Sequence, residues 1–73
     1  MEKQSFKIQV TNLSEKPTTF RLEPWGDEKE LLVNESVIIQ AEGPREGVLE
    51  VEYSEKLITI YGWAGSICEV EEH

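Results

Sequence analysis

The sequence predicts an all-β domain, an antiparallel β-sandwich of about seven short strands, and three observations carry that expectation. Val, Ile and Thr supply sixteen residues while Ala supplies two, a balance that disfavours long helices and suits pleated, half-buried strands. Apolar and polar residues alternate with a period of two in segment after segment. Turn chemistry recurs every eight to twelve residues or so, the spacing of a small all-β fold. A small open β-barrel is the alternative architecture.

Phe6, Ile8 and Val10 alternate with Lys7, Gln9 and Thr11, which predicts a first strand with one buried face. Asn12 to Pro17 is a turn, after which Phe20 and Leu22 alternate with Thr19, Arg21 and Glu23 in a second strand. Pro24 and Gly26 interrupt the pattern around Trp25. Residues 27 to 33 form a short third strand or an irregular crossing, supported only by Leu31 and Val33. The run Val37-Ile38-Ile39 within residues 36 to 42 predicts a strand covered on both faces for part of its length.

Gly43-Pro44-Arg45-Glu46-Gly47 is a loop, and the last three strands follow it. A tight turn centred on Glu55 and Lys56 pairs Tyr53 with Ile58, Glu52 with Thr59, Val51 with Ile60 and Glu50 with Tyr61. In that register every pair agrees about its face. Leu49, Val51, Tyr53, Ile58 and Ile60 point inward, and Glu50, Glu52, Thr59 and Tyr61 point outward. The last strand, residues 66 to 71, is read with Cys68 and Val70 inward and Glu69 and Glu71 outside, beyond a three-residue loop.

At 73 residues the chain has room for one domain with a small core, and it carries fifteen acidic against seven basic side chains, a formal net charge of −8. Residues 37 to 73 hold eight acids and two bases, Arg45 and Lys56, so the acidity is concentrated in the second half. Such a field repels phosphate backbones and anionic lipids and attracts basic proteins, which argues against direct nucleic-acid or membrane binding. A lone cysteine, Cys68, and the lack of a signal-like or membrane-length apolar run suggest a soluble cytoplasmic protein. Asn12-Leu13-Ser14 and Asn34-Glu35-Ser36 match the glycosylation sequon by chance in that setting.

Residues 8 to 41, with Val10-Thr11-Asn12, Pro17, Phe20-Arg21-Leu22, Leu32 and Glu35-Ser36-Val37-Ile38, resemble the first half of immunoglobulin-like sandwich domains. Gly62-Trp63-Ala64-Gly65-Ser66-Ile67 through Val70 is similar to the last turn and strand of cupredoxin-like sandwiches, where a Gly-Met-x-Gly turn stands. Trp63 replaces the Met. A blue-copper site needs two His, a Cys and usually a Met, whereas this chain has one His and one Cys, so the resemblance implies topology without copper. Phe20 to Gly26 together with Gly62-Trp63-x-Gly65-Ser66 also resembles a group of small uncharacterised bacterial proteins, which implies a shared sandwich and no activity.

Enzymatic readings fail on inventory. The one histidine, His73, is terminal, and Cys68 beside inward Val70 reads as a small buried hydrophobe, so no catalytic residue, metal ligand set or cofactor is expected. Glu23, Asp27, Glu28 and Glu30 around Trp25 read as a solvated loop rather than a cation site. Trp25 and Trp63 either plug the ends of the sandwich or, in the case of Trp63, leave an exposed aromatic anchor.

The candidate binding residues are Glu50, Glu52, Tyr61, Trp63, Glu69 and Glu71, taken as one acidic outer face of the last three strands. The face serves solubility alone or docks on another, basic protein, as an inhibitor or immunity-type protein would. A self-associating accessory domain that pairs strand edges into a homodimer is the reading from a different class.

Overall fold

A computed structural model describes residues 2 to 71 of the chain. Seven strands run in the order β1 (Lys3–Thr11), β2 (Thr18–Glu23), β3 (Asp27–Leu31), β4 (Ser36–Pro44), β5 (Glu50–Tyr53), β6 (Leu57–Tyr61) and β7 (Ile67–Glu71). They form two separate sheets, one of three strands in the order β1-β4-β7 and one of four in the order β3-β2-β6-β5, and not a closed barrel. The all-β expectation holds at that level.

Period-two alternation explains the elements. Thr18, Phe20 and Leu22 of β2 are buried while Thr19, Arg21 and Glu23 between them are half-buried on the outer face. In β4, Val37, Ile39 and Ala41 point into the core, and Ile38 is half-buried on the other side of this central strand. Phe20, Leu22, Leu31, Ile58 and Ile60 from one sheet meet Val37, Ile39, Ala41 and Cys68 from the other in one core. Each large aliphatic or aromatic side chain there contributes about 1.5–3 kcal/mol through removal from water. β3 is a true strand despite its charged sequence, because it pairs antiparallel with β2 and buries Leu31 against the core.

The β5–β6 register is the expected one, with Glu50 opposite Tyr61, Val51 opposite Ile60, Glu52 opposite Thr59 and Tyr53 opposite Ile58. Two expectations about these last strands are overturned. The fold is not wholly antiparallel, since β6 lies parallel to β2, with Phe20 beside Ile58 and Leu22 beside Ile60. Nor does β7 continue the β5–β6 meander. The chain crosses after β6, and β7 pairs antiparallel with β4 in the opposite sheet, Cys68 beside Ala41 and Val70 beside Ile39.

Burial departs from expectation at β5. Ile58 and Ile60 are buried, but Val51 and Tyr53 on the same side of the sheet are 55% and 73% exposed. A three-stranded sheet does not cover all four strands of its partner, so the inner side of the edge strand β5 looks into solvent. Thr59 is displaced in the other sense: it stands on the outer face yet is buried between Arg21 and Glu52 in the cross-strand row.

Candidate protein-binding face

The candidate face is the outer side of the four-stranded sheet. Alternation places Glu28 and Glu30 of β3, Thr19, Arg21 and Glu23 of β2, Thr59 and Tyr61 of β6, and Glu50 and Glu52 of β5 on this side. Pairing aligns them in rows: Glu28, Arg21, Thr59 and Glu52 in one, and Glu23, Tyr61 and Glu50 in the next. Five carboxylates therefore share the face with one guanidinium. Arg21 is committed to Glu28, its Nη2 lying 2.7 Å and its Nε 2.8 Å from Oε2. The carboxylates of Glu23, Glu30, Glu50 and Glu52 have no cationic partner within salt-bridge distance among the described residues.

Tyr61 donates its phenolic hydrogen to Glu52 Oε1 at 2.9 Å. That bond holds the neutral phenol, and the nearby carboxylates of Glu52, Glu50 and Glu23 disfavour phenolate, so the Tyr61 pKa lies above its ordinary value of 10.0. The phenol thus remains a polar, uncharged centre among acids.

Glu69 and Glu71 do not belong to this face. They point outward, as expected, but from β7 in the opposite sheet, so they lie on the far side of the molecule. Glu71 pairs there with Lys7 at 3.0 Å, and Glu42 nearby pairs with Lys3 at 3.4 Å. That surface mixes charges of both signs.

Trp63 is a plug, not an exposed anchor. Its ring stacks on Phe6 with centroids 5.9 Å apart and planes 5° from parallel, and its indole N–H donates to the Pro44 carbonyl at 2.8 Å. Gly47 makes room for it: a Cβ there would lie 1.5 Å from Trp63 Cδ1. Gly65, at φ +82°, shapes the adjoining turn, which the Ser66 N–H closes on the Trp63 carbonyl at 2.9 Å. From β1, the Gln4 side-chain amide reaches the carbonyls of Arg45 and Gly47, both at 3.1 Å. Together these contacts tie down the loop that delivers the chain to β5. Trp25 packs over Gly62 and is 40% exposed.

Cys68 is buried, and burial pushes its thiol pKa up, against a smaller opposing effect of a hydrogen bond with Ser66. His73 lies outside the described residues. Among the described residues no group of three or more His, Cys, Asp or Glu side chains is placed to hold a metal ion, and no helix is long and apolar enough to cross a membrane.

A recess of about 350 Å3 opens where the β1–β2 loop meets the β5–β6 hairpin, between Asn12, Leu13, Thr18, Tyr53, Glu55 and Ile58. The Asn12 amide is fully engaged, donating to the carbonyls of Lys16 and Leu31 at 2.9 Å each. Thr18 is not: its Oγ1 is buried and has no hydrogen-bond partner.

Comparison of the chain with models of protein families, with curated proteins and with solved structures finds no match. Function therefore rests on this geometry. Of the residues singled out in the sequence, Glu50, Glu52 and Tyr61 fall together, whereas Trp63, Glu69 and Glu71 lie elsewhere. Glu23, Glu28 and Glu30 complete the face, and the signal for them is alternation: Glu28 and Glu30 flank Lys29 and stand three and one residues before buried Leu31, on the opposite side of the strand.

Proposed function

We propose that this protein is a non-enzymatic binding module that docks on a basic protein through the outer face of its four-stranded sheet. The observation that carries this reading is the sign of that face, five carboxylates with one guanidinium already paired, while the opposite sheet pairs Glu42 with Lys3 and Glu71 with Lys7. Successive outward residues on a strand stand about 6.8 Å apart, so Glu50 and Glu52 offer a ladder of charge to a Lys/Arg patch. Desolvation of Tyr61, with its hydroxyl satisfied by Glu52, adds apolar area at the centre without stranding a polar group.

A partner whose basic patch otherwise holds phosphates, such as a nuclease, fits the inhibitor or immunity-type form of this reading. The two-sheet order with its single parallel pair supports the broad sandwich class to which immunoglobulin-like and cupredoxin-like domains belong. The lone, buried Cys68 supports a reducing, cytoplasmic setting.

Capture of partners on the immobilised protein, washed in parallel at low and high salt, tests the reading. A basic protein held at low salt, released at high salt and lost from Glu50→Gln/Glu52→Gln is the expected result. Glu69→Gln/Glu71→Gln removes the same charge from the opposite sheet and is expected to retain the partner. Equal loss from both double variants would reduce the acidic face to a matter of net charge.

A further inference from the structure

We propose that β5 is a docking edge, at which an extended segment of the basic partner adds as a further strand, its apolar residues against Val51 and Tyr53 and its basic residues beside Glu50 and Glu52. This rests on the acidic-face reading above and specifies the partner's conformation and sequence pattern.

The phase of the β5–β6 ladder decides which backbone groups are free. The Ser54 N–H donates to the Leu57 carbonyl at 2.8 Å and the Leu57 N–H returns a bond to Ser54 at 3.4 Å, which makes Ser54 and Leu57 a hydrogen-bonded pair. Antiparallel pairs alternate, so Glu52 with Thr59 and Glu50 with Tyr61 also exchange bonds, while Val51 and Tyr53 aim their N–H and C=O groups away from β6. Because β5 ends the sheet order, those groups meet no neighbouring strand. The same two residues carry the uncovered side chains. Backbone donors, backbone acceptors and an apolar strip thus coincide, the combination that strand addition uses.

The other edge of this sheet is closed to such an arrival. There β3 turns Asp27 and Lys29 to the inward side, where an added strand would have to bury its apolar residues. β5 has no inward charge and no proline.

Charge selects the occupant. A second copy pairing through β5 would set its own Glu50 and Glu52 beside the same residues, with like charges in neighbouring positions. A segment with Lys or Arg at alternate positions reverses the sign of each of those contacts. Past the Tyr53 end of the strand, the recess walled by Leu13, Thr18, Tyr53 and Ile58 receives the next apolar side chain.

Two short blocked peptides of identical composition test this, one alternating lysine with valine and one with its lysines and valines in separate blocks. The alternating peptide is expected to bind roughly tenfold more tightly at low salt and to protect the Val51 and Tyr53 amides from hydrogen exchange. Methylating its backbone nitrogens on the side that meets β5 is expected to remove that advantage, as is Val51→Pro, whose lost N–H bonds nothing within the chain.

Equal affinity for the two peptides, both salt-sensitive, would overturn the docking edge and leave the acidic face standing. Failure of both to bind would overturn both readings. Binding of the alternating peptide undiminished in Glu50→Gln/Glu52→Gln would refute the basic character assigned to the segment. Protection of Val51 and Tyr53 in the protein alone, rising with its concentration, would identify the occupant as a second copy and refute the proposal.

Discussion

Gly47→Ala is the sharpest test of how the loop before β5 is held. The added Cβ would lie 1.5 Å from Trp63 Cδ1, 2.1 Å from Cγ and 2.2 Å from Nε1, so the indole has to leave its seat. Overpacking of this kind costs about 1–3 kcal/mol. Loss of the Trp63–Pro44 hydrogen bond adds about 0.5–1.5 kcal/mol. Loss of the stack on Phe6 adds about 0.5–1.5 kcal/mol more.

A total of about 2–6 kcal/mol is large for a chain of this length, whose whole stability is expected at about 4–11 kcal/mol. The melting temperature should fall by more than about 10 °C. Urea unfolding followed by circular dichroism measures the cost, and a double-mutant cycle assigns it. Once Trp63→Ala has emptied the seat, Gly47→Ala should cost under about 0.5 kcal/mol, with an osmolyte added to keep both backgrounds folded. A cost below about 1 kcal/mol in the wild type, or the same cost in both backgrounds, would refute the seating of Trp63 on Gly47.

Other perturbations probe the face and the core. Thr18→Val replaces a buried hydroxyl that bonds nothing with a methyl of similar size, so thermal unfolding should show stability unchanged or raised by about 1 kcal/mol; a lowered melting temperature would mean the hydroxyl has a partner. Absorbance titration of Tyr61 in a Tyr53→Phe background should place its ionisation above the ordinary phenol, and Glu52→Gln should bring it back down, because the charged acceptor that favours the neutral form is gone. Burial raises the Cys68 pKa, so ionisation of this thiol favours the unfolded chain: the associated stability is complete below the unfolded thiol pKa of about 8.5 and is lost as pH rises above it. Iodoacetamide should label Cys68 slowly in native buffer and quickly in urea, and fast native labelling would contradict its burial. Glu50→Gln/Glu52→Gln should turn the protein toward concentration-dependent self-association in sedimentation, since the charges that keep two β5 edges apart are gone.

Alternation made the faces legible and left the neighbours unread. The β5–β6 register was readable because both strands and their turn lie within twelve residues, from Glu50 to Tyr61, and a one-residue slip would expose Ile58 and Ile60. The sheet that β7 joins was not. Cys68 and Val70 alternate with Glu69 and Glu71 identically whether β7 lies beside β6 or beside β4, so the pattern sets its inward side and is silent about its partner. The short Gly62–Ser66 connection suggested a hairpin, but here it carries the chain across to the other sheet. Val51 and Tyr53 show the same limit. Their parity with Ile60 and Ile58 gives the side of the sheet on which they stand, while their exposure depends on how far a sheet of distant strands extends.

The acidity of β5 and its uncovered apolar side belong together. An edge strand with free backbone groups and exposed Val51 and Tyr53 invites its own copies, and small proteins commonly block that with inward charges, as β3 does with Asp27 and Lys29. Charges placed inward on β5 would have closed the edge to every partner. Placed outward at Glu50 and Glu52, they act only through the sign of the arriving strand, opposing a like-charged copy and favouring a basic segment. One pair of side chains can therefore keep the free protein apart from itself and leave the edge open to a partner of opposite charge, which is what the proposed docking requires of it.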